Sequence, residues 1–215
     1  MTATQVNPTR MELSRLKKKL TTARRGHKLL KDKRDELMRQ FLELVRENQM
    51  LRQKVEKGIA KANLDFALAA AVMNDAAVKT ALLAPKQSVS ATVTSKNIMS
   101  VDVPSFQYQT RTVDSSDIFS YGFVDTSVDL DTAVASLSAV FPDMLKLAET
   151  EKSCTLLASE IEKTRRRVNA LEHVLIPEYT EKIRYISMKL DENERSTQIR
   201  LLKVKDMMLE TQRKK

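Results

Sequence analysis

From Leu13 to Val55 the chain steps three residues, then four, without a phase error: Leu13, Leu16, Leu20, Ala23, His27, Leu30, Arg34, Leu37, Phe41, Leu44, Asn48, Leu51 and Val55. That spacing returns each position to one side of a helix, which is the seam of a coiled coil. A second seam follows late in the chain at Cys154, Leu157, Ile161, Thr164, Val168, Leu171 and Leu175. Each stripe needs a partner to bury it. The intervening segment is long enough to turn the chain back, so each is predicted to pair with the other. The predicted fold is all-α, a long antiparallel two-helix coiled coil with a small β-hairpin and loop insert. Residues 1–84 form the N-terminal arm, 85–129 the insert and 130–215 the C-terminal arm.

Composition fits a rod better than a globule. Charged residues make up 30% of the chain and aromatics 5%, with three glycines and no tryptophan, so material for a compact core is scarce. Residues 9–84 contain no proline and residues 143–215 contain one. At about 1.5 Å per residue, an uninterrupted first helix would span on the order of 110 Å.

Local signals place the elements. Asn7-Pro8-Thr9-Arg10 opens the first helix, with Asn7 or Thr9 as N-cap and Pro8 near the first turn, where its missing N–H costs nothing. After Gly58 the composition shifts to alanine, and the helix is expected to stop before Pro85. Ser88 to Thr94 alternates polar and apolar and Ile98 to Val103 is rich in β-branched residues, predicting a short hairpin. Pro104, Gly122 and Asp114-Ser115-Ser116-Asp117 mark the rest of the insert as loop. Helix is expected to resume near Leu130. Pro177 lies inside the second arm, where it removes a donor and crowds the His173 carbonyl, so a bend is predicted there. Beyond it the seam continues one residue out of step through Tyr179, Ile183, Ile186, Leu190, Asn193, Thr197, Leu201, Val204 and Met208.

The net charge of +9 is unevenly spread: +9 in residues 1–60, −3 in 61–142 and +3 in 143–215. In an antiparallel hairpin both termini share one end, which is therefore basic and suited to an acidic partner: nucleic acid, an anionic membrane surface or an acidic protein bore. The longest apolar run, Phe66 to Met73, is far below the roughly 20 residues needed to cross a bilayer. Residues 1–10 lack the apolar core of a signal peptide, and the lone Cys154 cannot form an internal disulfide, so a cytosolic setting is expected.

No catalytic motif is present. There is no Gly-x-x-x-x-Gly-Lys-Ser/Thr loop, and two distant histidines with one cysteine make no zinc site. No catalytic, cofactor-binding or metal-binding residue is predicted. Cys154 reads as a small seam filler, and His173 falls opposite the seam. His27, Arg34 and Asn48 occupy seam positions, where they either fix helix register or hydrogen-bond and snorkel across the pair.

The same segments resemble a known family. Asn7-Pro8-Thr9-Arg10, Leu13 to Leu20, and the run from Ala23-Arg24-Arg25-Gly26-His27-Lys28 through Leu37 resemble the amino-terminal signature of the D subunits of V-type and A-type rotary ATPases. Arg166-Arg167-Val168-Asn169-Ala170-Leu171-Glu172, Pro177, and Leu190-Asp191-Glu192 with Glu194-Arg195 resemble their carboxy-terminal signature. Both arms match in order, the middle matches as a variable insert, and the length resembles the shorter bacterial and archaeal members.

The resemblance implies a central rotor shaft whose termini project into a hexamer of catalytic and non-catalytic ATPase subunits (A and B). It implies a second, small rotor protein (the F subunit), a socket protein joining the membrane ring, and a peripheral place on the cytoplasmic face of the cell membrane, with no direct membrane insertion and no nucleic acid. ATP chemistry would belong to other chains, so the shaft itself would be non-catalytic and without a cofactor. Arg24, Arg25, Lys28, Arg165, Arg166 and Arg167 become candidates for contact with acidic groups of the hexamer. The plain alternative is that this charge run is a solvated face. Without the resemblance, a prefoldin-like coiled-coil chaperone or a basic RNA-binding arm has a similar plan. The basic end offers no Tyr or Trp before Phe41 for base stacking, so RNA binding would rest on charge alone.

Overall fold

The computed structural model describes residues 6–213 except 113, 123 and 125; the outermost parts of both predicted arms, 1–5 and 214–215, lie outside the described residues. Helix α1 is Arg10–Val72 and a short α2 is Asp75–Ala81. Strands β1, Val89–Ile98, and β2, Val101–Thr110, form one antiparallel hairpin. A 3-10 turn at Ser115–Ile118 leads to α3, Val128–Ala170, then a π-helical turn, Leu171–Leu175, and α4, Ile176–Arg213. The fold is thus mostly α, with a small hairpin between long N- and C-terminal helices. Contacts gather it into two units, one joining the chain up to Arg34 with the chain from Lys163 onward, the other Asp35–Glu162.

In the first unit, α1 starts where Thr9 caps it. Thr9 Oγ1 accepts the Glu12 N–H at 3.2 Å, in the Thr-x-x-Glu spacing of a capping box, and Pro8 stays outside the helix. Arg10 pairs with Glu194, and His27 Nε2 lies 3.2 Å from Glu172 Oε2. Rising numbers on α1 meet falling numbers on the returning chain, so the pairing is antiparallel. Leu16, Ala23, Thr164, Val168 and Ile186 are buried in the seam, with Leu13, Leu20, Leu30, Leu171 and Leu175 half-buried beside them. Past Leu190 the sequence pattern outlasts its partner. Asn193, Thr197, Leu201, Val204 and Met208 are all exposed, because α1 begins at the level of Glu194 while α4 runs on to Arg213.

The phase slip near Pro177 has a local cause. Proline supplies no N–H to the His173 carbonyl, and the chain before it takes one π-helical turn, in which Ile176 N–H bonds to the Leu171 carbonyl. That wider turn absorbs one extra residue, which is the residue by which the seam shifts.

In the second unit, Lys54 meets Asp143 (2.7 Å), Arg52 faces Glu151 (3.9 Å), and the Ser136 hydroxyl donates to Asp65 (2.9 Å), again antiparallel. Gly58 on α1 faces Val140 on α3: a Cβ there would overlap Val140 Cγ2, so any larger residue would force the valine to shift. Beyond Gly58 the seam continues through Ala62 and Ala69, both buried, where small side chains keep the helices close. Pro142 sits inside α3 without ending it.

Two expectations are corrected here. The N-terminal arm is not one helix to residue 84: α1 ends at Val72, and Asn74 starts α2 by accepting the Ala76 N–H on Oδ1 at 3.3 Å. The hairpin is longer than predicted, and its turn, Met99-Ser100, falls inside the stretch read as strand, while Pro104 is part of β2 rather than loop. Pairing parity explains why this proline is tolerated. The two-residue turn makes Ile98 and Val101 a hydrogen-bonded pair, so Pro104, opposite Ser95, sits at a position whose N–H would point away from β1. Helix resumes at Val128, one short step before the expected start at Leu130, which is fully buried.

The hairpin is anchored by its turn end. Val101 and Val103 join Leu37, Leu157 and Ile161 in one buried cluster, with Phe41, Leu44, Ile98, Met99 and Leu156 packed around it. At 0% exposure, Leu37 and Leu157 are where α1, α3 and β2 meet.

Candidate functional site

All six candidate cations are exposed: Arg24, Arg25 and Lys28 on α1, and Arg165, Arg166 and Arg167 on α3. The heptad dictates this, because Ala23, His27 and Leu30, like Thr164 and Val168, take the inward positions and leave the residues between them outside. The two sets belong to one unit. The His27–Glu172 contact puts Arg24, Arg25 and Lys28 beside the π-helical turn. Arg165 to Arg167 precede Glu172 by about two turns, on the order of 9 Å along the axis.

Charge separates cleanly between the units. The unit built from residues 1–34 and 163–215 holds 25 basic and 10 acidic side chains, a net +15, whereas residues 35–162 hold 12 and 18, a net −6. Single exposed charges on helices contribute little to stability. A field of this size on one unit, however, attracts acidic partners over a Debye length of about 8–10 Å.

The polar seam residues differ in surroundings. His27 is half-buried and engages Glu172, while Arg34 and Asn48 are also half-buried. Pro177 is exposed immediately after the π-helical turn. Burial pushes the Cys154 thiol pKa up, and Glu151 and Glu47 add to it, which favours the protonated thiol over the nucleophilic thiolate.

One cleft of about 910 Å³ opens between the Val72–Ala84 and Ser120–Ser127 stretches of the second unit. Among the described residues that line it, Tyr121 is the one ionisable side chain, and its hydroxyl donates to Asp131 at 2.8 Å. Burial first, then that hydrogen bond and the Asp131 charge, hold the phenol pKa well above its ordinary value. Among the described residues no three His, Cys, Asp or Glu stand together in a metal-binding group, and no helix is long and apolar enough to cross a membrane.

Two features escaped the sequence reading. The seam does not stop at Val55 but runs on through Gly58, Ala62, Asp65 and Ala69; the three-four rhythm was there, disguised by small and polar residues. The Glu149 carboxylate accepts the Phe106 N–H at 3.2 Å, tying β2 to α3, and no local pattern announces a pairing so distant in sequence.

Comparison with known proteins adds the remaining observation. The family described as the ATP synthase D subunit matches residues 12–206. Proteins named as the D subunit of V-type ATP synthase are similar over nearly the whole chain. The one from Acetivibrio thermocellus is 62% identical over 210 residues, covering 98% of this chain and 95% of the relative. Those from Clostridioides difficile and Clostridium botulinum are 57% and 55% identical, over 97% and 96% of this chain and 94% and 96% of theirs.

Proposed function

Because this chain belongs to the ATP synthase D-subunit family, we propose that it is the central-stalk rotor of a V-type rotary ATPase, a non-catalytic shaft that carries rotation between ATP hydrolysis and ion translocation. The observation that carries this reading is the 62% identity across 98% of the chain to the D subunit of a V-type ATP synthase. A rotor must resist twisting while sliding past its surroundings. The buried seam residues of each unit, Leu37 and Leu157 in one and Val168 and Ile186 in the other, supply the first property. Solvated charges, weakly held and readily exchanged, supply the second.

In this reading the basic unit sits inside the hexamer of A and B subunits. Arg24, Arg25, Lys28, Arg165, Arg166 and Arg167 meet acidic groups of its wall, and the π-helical turn before Pro177 makes the surface they share asymmetric. The small F subunit of the rotor and a socket protein bind elsewhere on the chain, and the assembly holds it peripherally at the cytoplasmic face of the membrane, without insertion and without nucleic acid. Native mass spectrometry of the tagged chain from its own cells, with ATPase activity assayed on the same sample, tests the reading. A six-membered ATPase ring plus a small partner is expected. An oligomer of this chain alone, or bound RNA without ATPase activity, would instead support the chaperone or RNA-arm plan.

A further inference from the structure

The hairpin leaves its β1 edge open. Starting from the Ile98 and Val101 pair, hydrogen-bonded and non-hydrogen-bonded pairs alternate down the ladder. Ser90, Thr92, Thr94, Lys96 and Ile98 therefore bond to β2, while Val89, Ala91, Val93, Ser95 and Asn97 turn their N–H and C=O groups outward. On the other side of the hairpin the outward Phe106 N–H is taken by Glu149. On β1 every residue but Ile98 is exposed, and among the described residues no hydrogen bond engages the outward backbone groups.

Exposed edges usually carry a guard: a proline, a bulge, or several charges. The register of β1 is unbroken over ten residues, it contains no proline, and Lys96 is its one charge. It is also held firmly from behind, since Val101 and Val103 are buried against Leu37, Leu157 and Ile161.

We infer that β1 is a docking edge that takes an extended segment of another protein of the assembly as the third strand of this sheet. This rests on the rotor reading, which places the chain in such an assembly. Only an extended backbone can satisfy five outward residues in alternation. The side chains specify the rest. Val89, Ala91 and Val93 share a face with Phe106 and Tyr108, and Val93 and Tyr108 are 65% and 46% exposed. An incoming strand covers that face with apolar residues at alternate positions. The opposite face presents hydroxyls and Lys96, which has no ion pair among the described residues, so the strand places a carboxylate beside it.

Amide hydrogen exchange measured on the isolated chain and on the ATPase complex purified from its own cells tests this. The amides of Val89, Ala91, Val93, Ser95 and Asn97 are expected to slow at least about tenfold in the complex. Val93→Pro removes one outward N–H and leaves the β1–β2 ladder intact, as Pro104 does in β2. It is expected to abolish the protection, while Val93→Ala, which keeps the N–H, retains it. Outward amides that exchange at the isolated rate inside an active complex overturn the inference and leave the rotor reading standing. So does equal protection in the Val93→Pro complex. Protection already present in an isolated dimer would make a second copy the occupant, which also overturns it. A chain recovered outside any ATPase removes the rotor reading and this inference together.

Discussion

Tyr121 keeps its proton because it is partly buried and bonded to Asp131, and that has a consequence for stability. Its folded pKa is raised, so the stabilisation is fully present below the ordinary phenol value of about 10 and is lost as pH rises through it toward the folded value. Tyr121→Phe is expected to cost about 1 kcal/mol at neutral pH. It should also remove part of the alkaline decline in stability, as read by denaturation near neutrality and at about pH 11. Gly58 gives a sharper case. Gly58→Ala drives a methyl into Val140 and is expected to destabilise by about 1–3 kcal/mol, and Val140→Ala in the same chain should recover most of it. Equal losses with and without Val140→Ala would show that the close approach is not the cause. In the sequence, Gly58 was legible only as the point where composition turns to alanine. Which residue faces it depends on the register of two distant segments, and no local spacing contains that.

The helices were legible from their periodicity, and their ends less so. The seam positions Leu16, Leu37, Leu157, Ile161 and Val168 are buried because a three-four repeat permits little else. Periodicity cannot say where a partner stops, which is why Leu201, Val204 and Met208 keep the rhythm yet lie exposed. Asn74 interrupts the first arm by a side-chain cap that competes with helix, a contest too even to read from composition. The hairpin turn hid for a different reason. Met99 and Ser100 adopt φ of 50° and 70°, which favour Asn and Gly, so the usual turn residues were missing. The packing of Met99 into the Leu37–Leu157 cluster holds a conformation its own preferences oppose. At Pro177 the one-residue slip was visible, and the π-helical turn explains it. Pro177→Ala restores the donor and is expected to return Leu171–Leu175 to α-helical bonding, shifting α4 by one residue against α1. A changed cross-linking pattern between α1 and α4, with altered ATP turnover in the complex, is the expected readout. An unchanged pattern would assign the π-helical turn to packing rather than to proline.

At the scale of the whole molecule, the informative quantity is the split of charge, +15 on one unit and −6 on the other. The sign was legible in the sequence, and the six candidate cations were legible as exposed positions between seam residues; what they touch depends on chains this sequence does not contain. Replacing Arg24, Arg25, Lys28, Arg165, Arg166 and Arg167 with Gln is expected to weaken association with the ATPase ring at low salt and to flatten its salt dependence, measured by sedimentation over a salt series. Unchanged association would return these residues to a solvated face. Rotation itself is the most direct measurement. With the ATPase ring fixed to a surface and a bead attached through Ser116→Cys in a Cys154→Ser background, the account predicts unidirectional turning that starts with ATP and stops when ATP is removed. A bead that only diffuses while the same complexes hydrolyse ATP would contradict it.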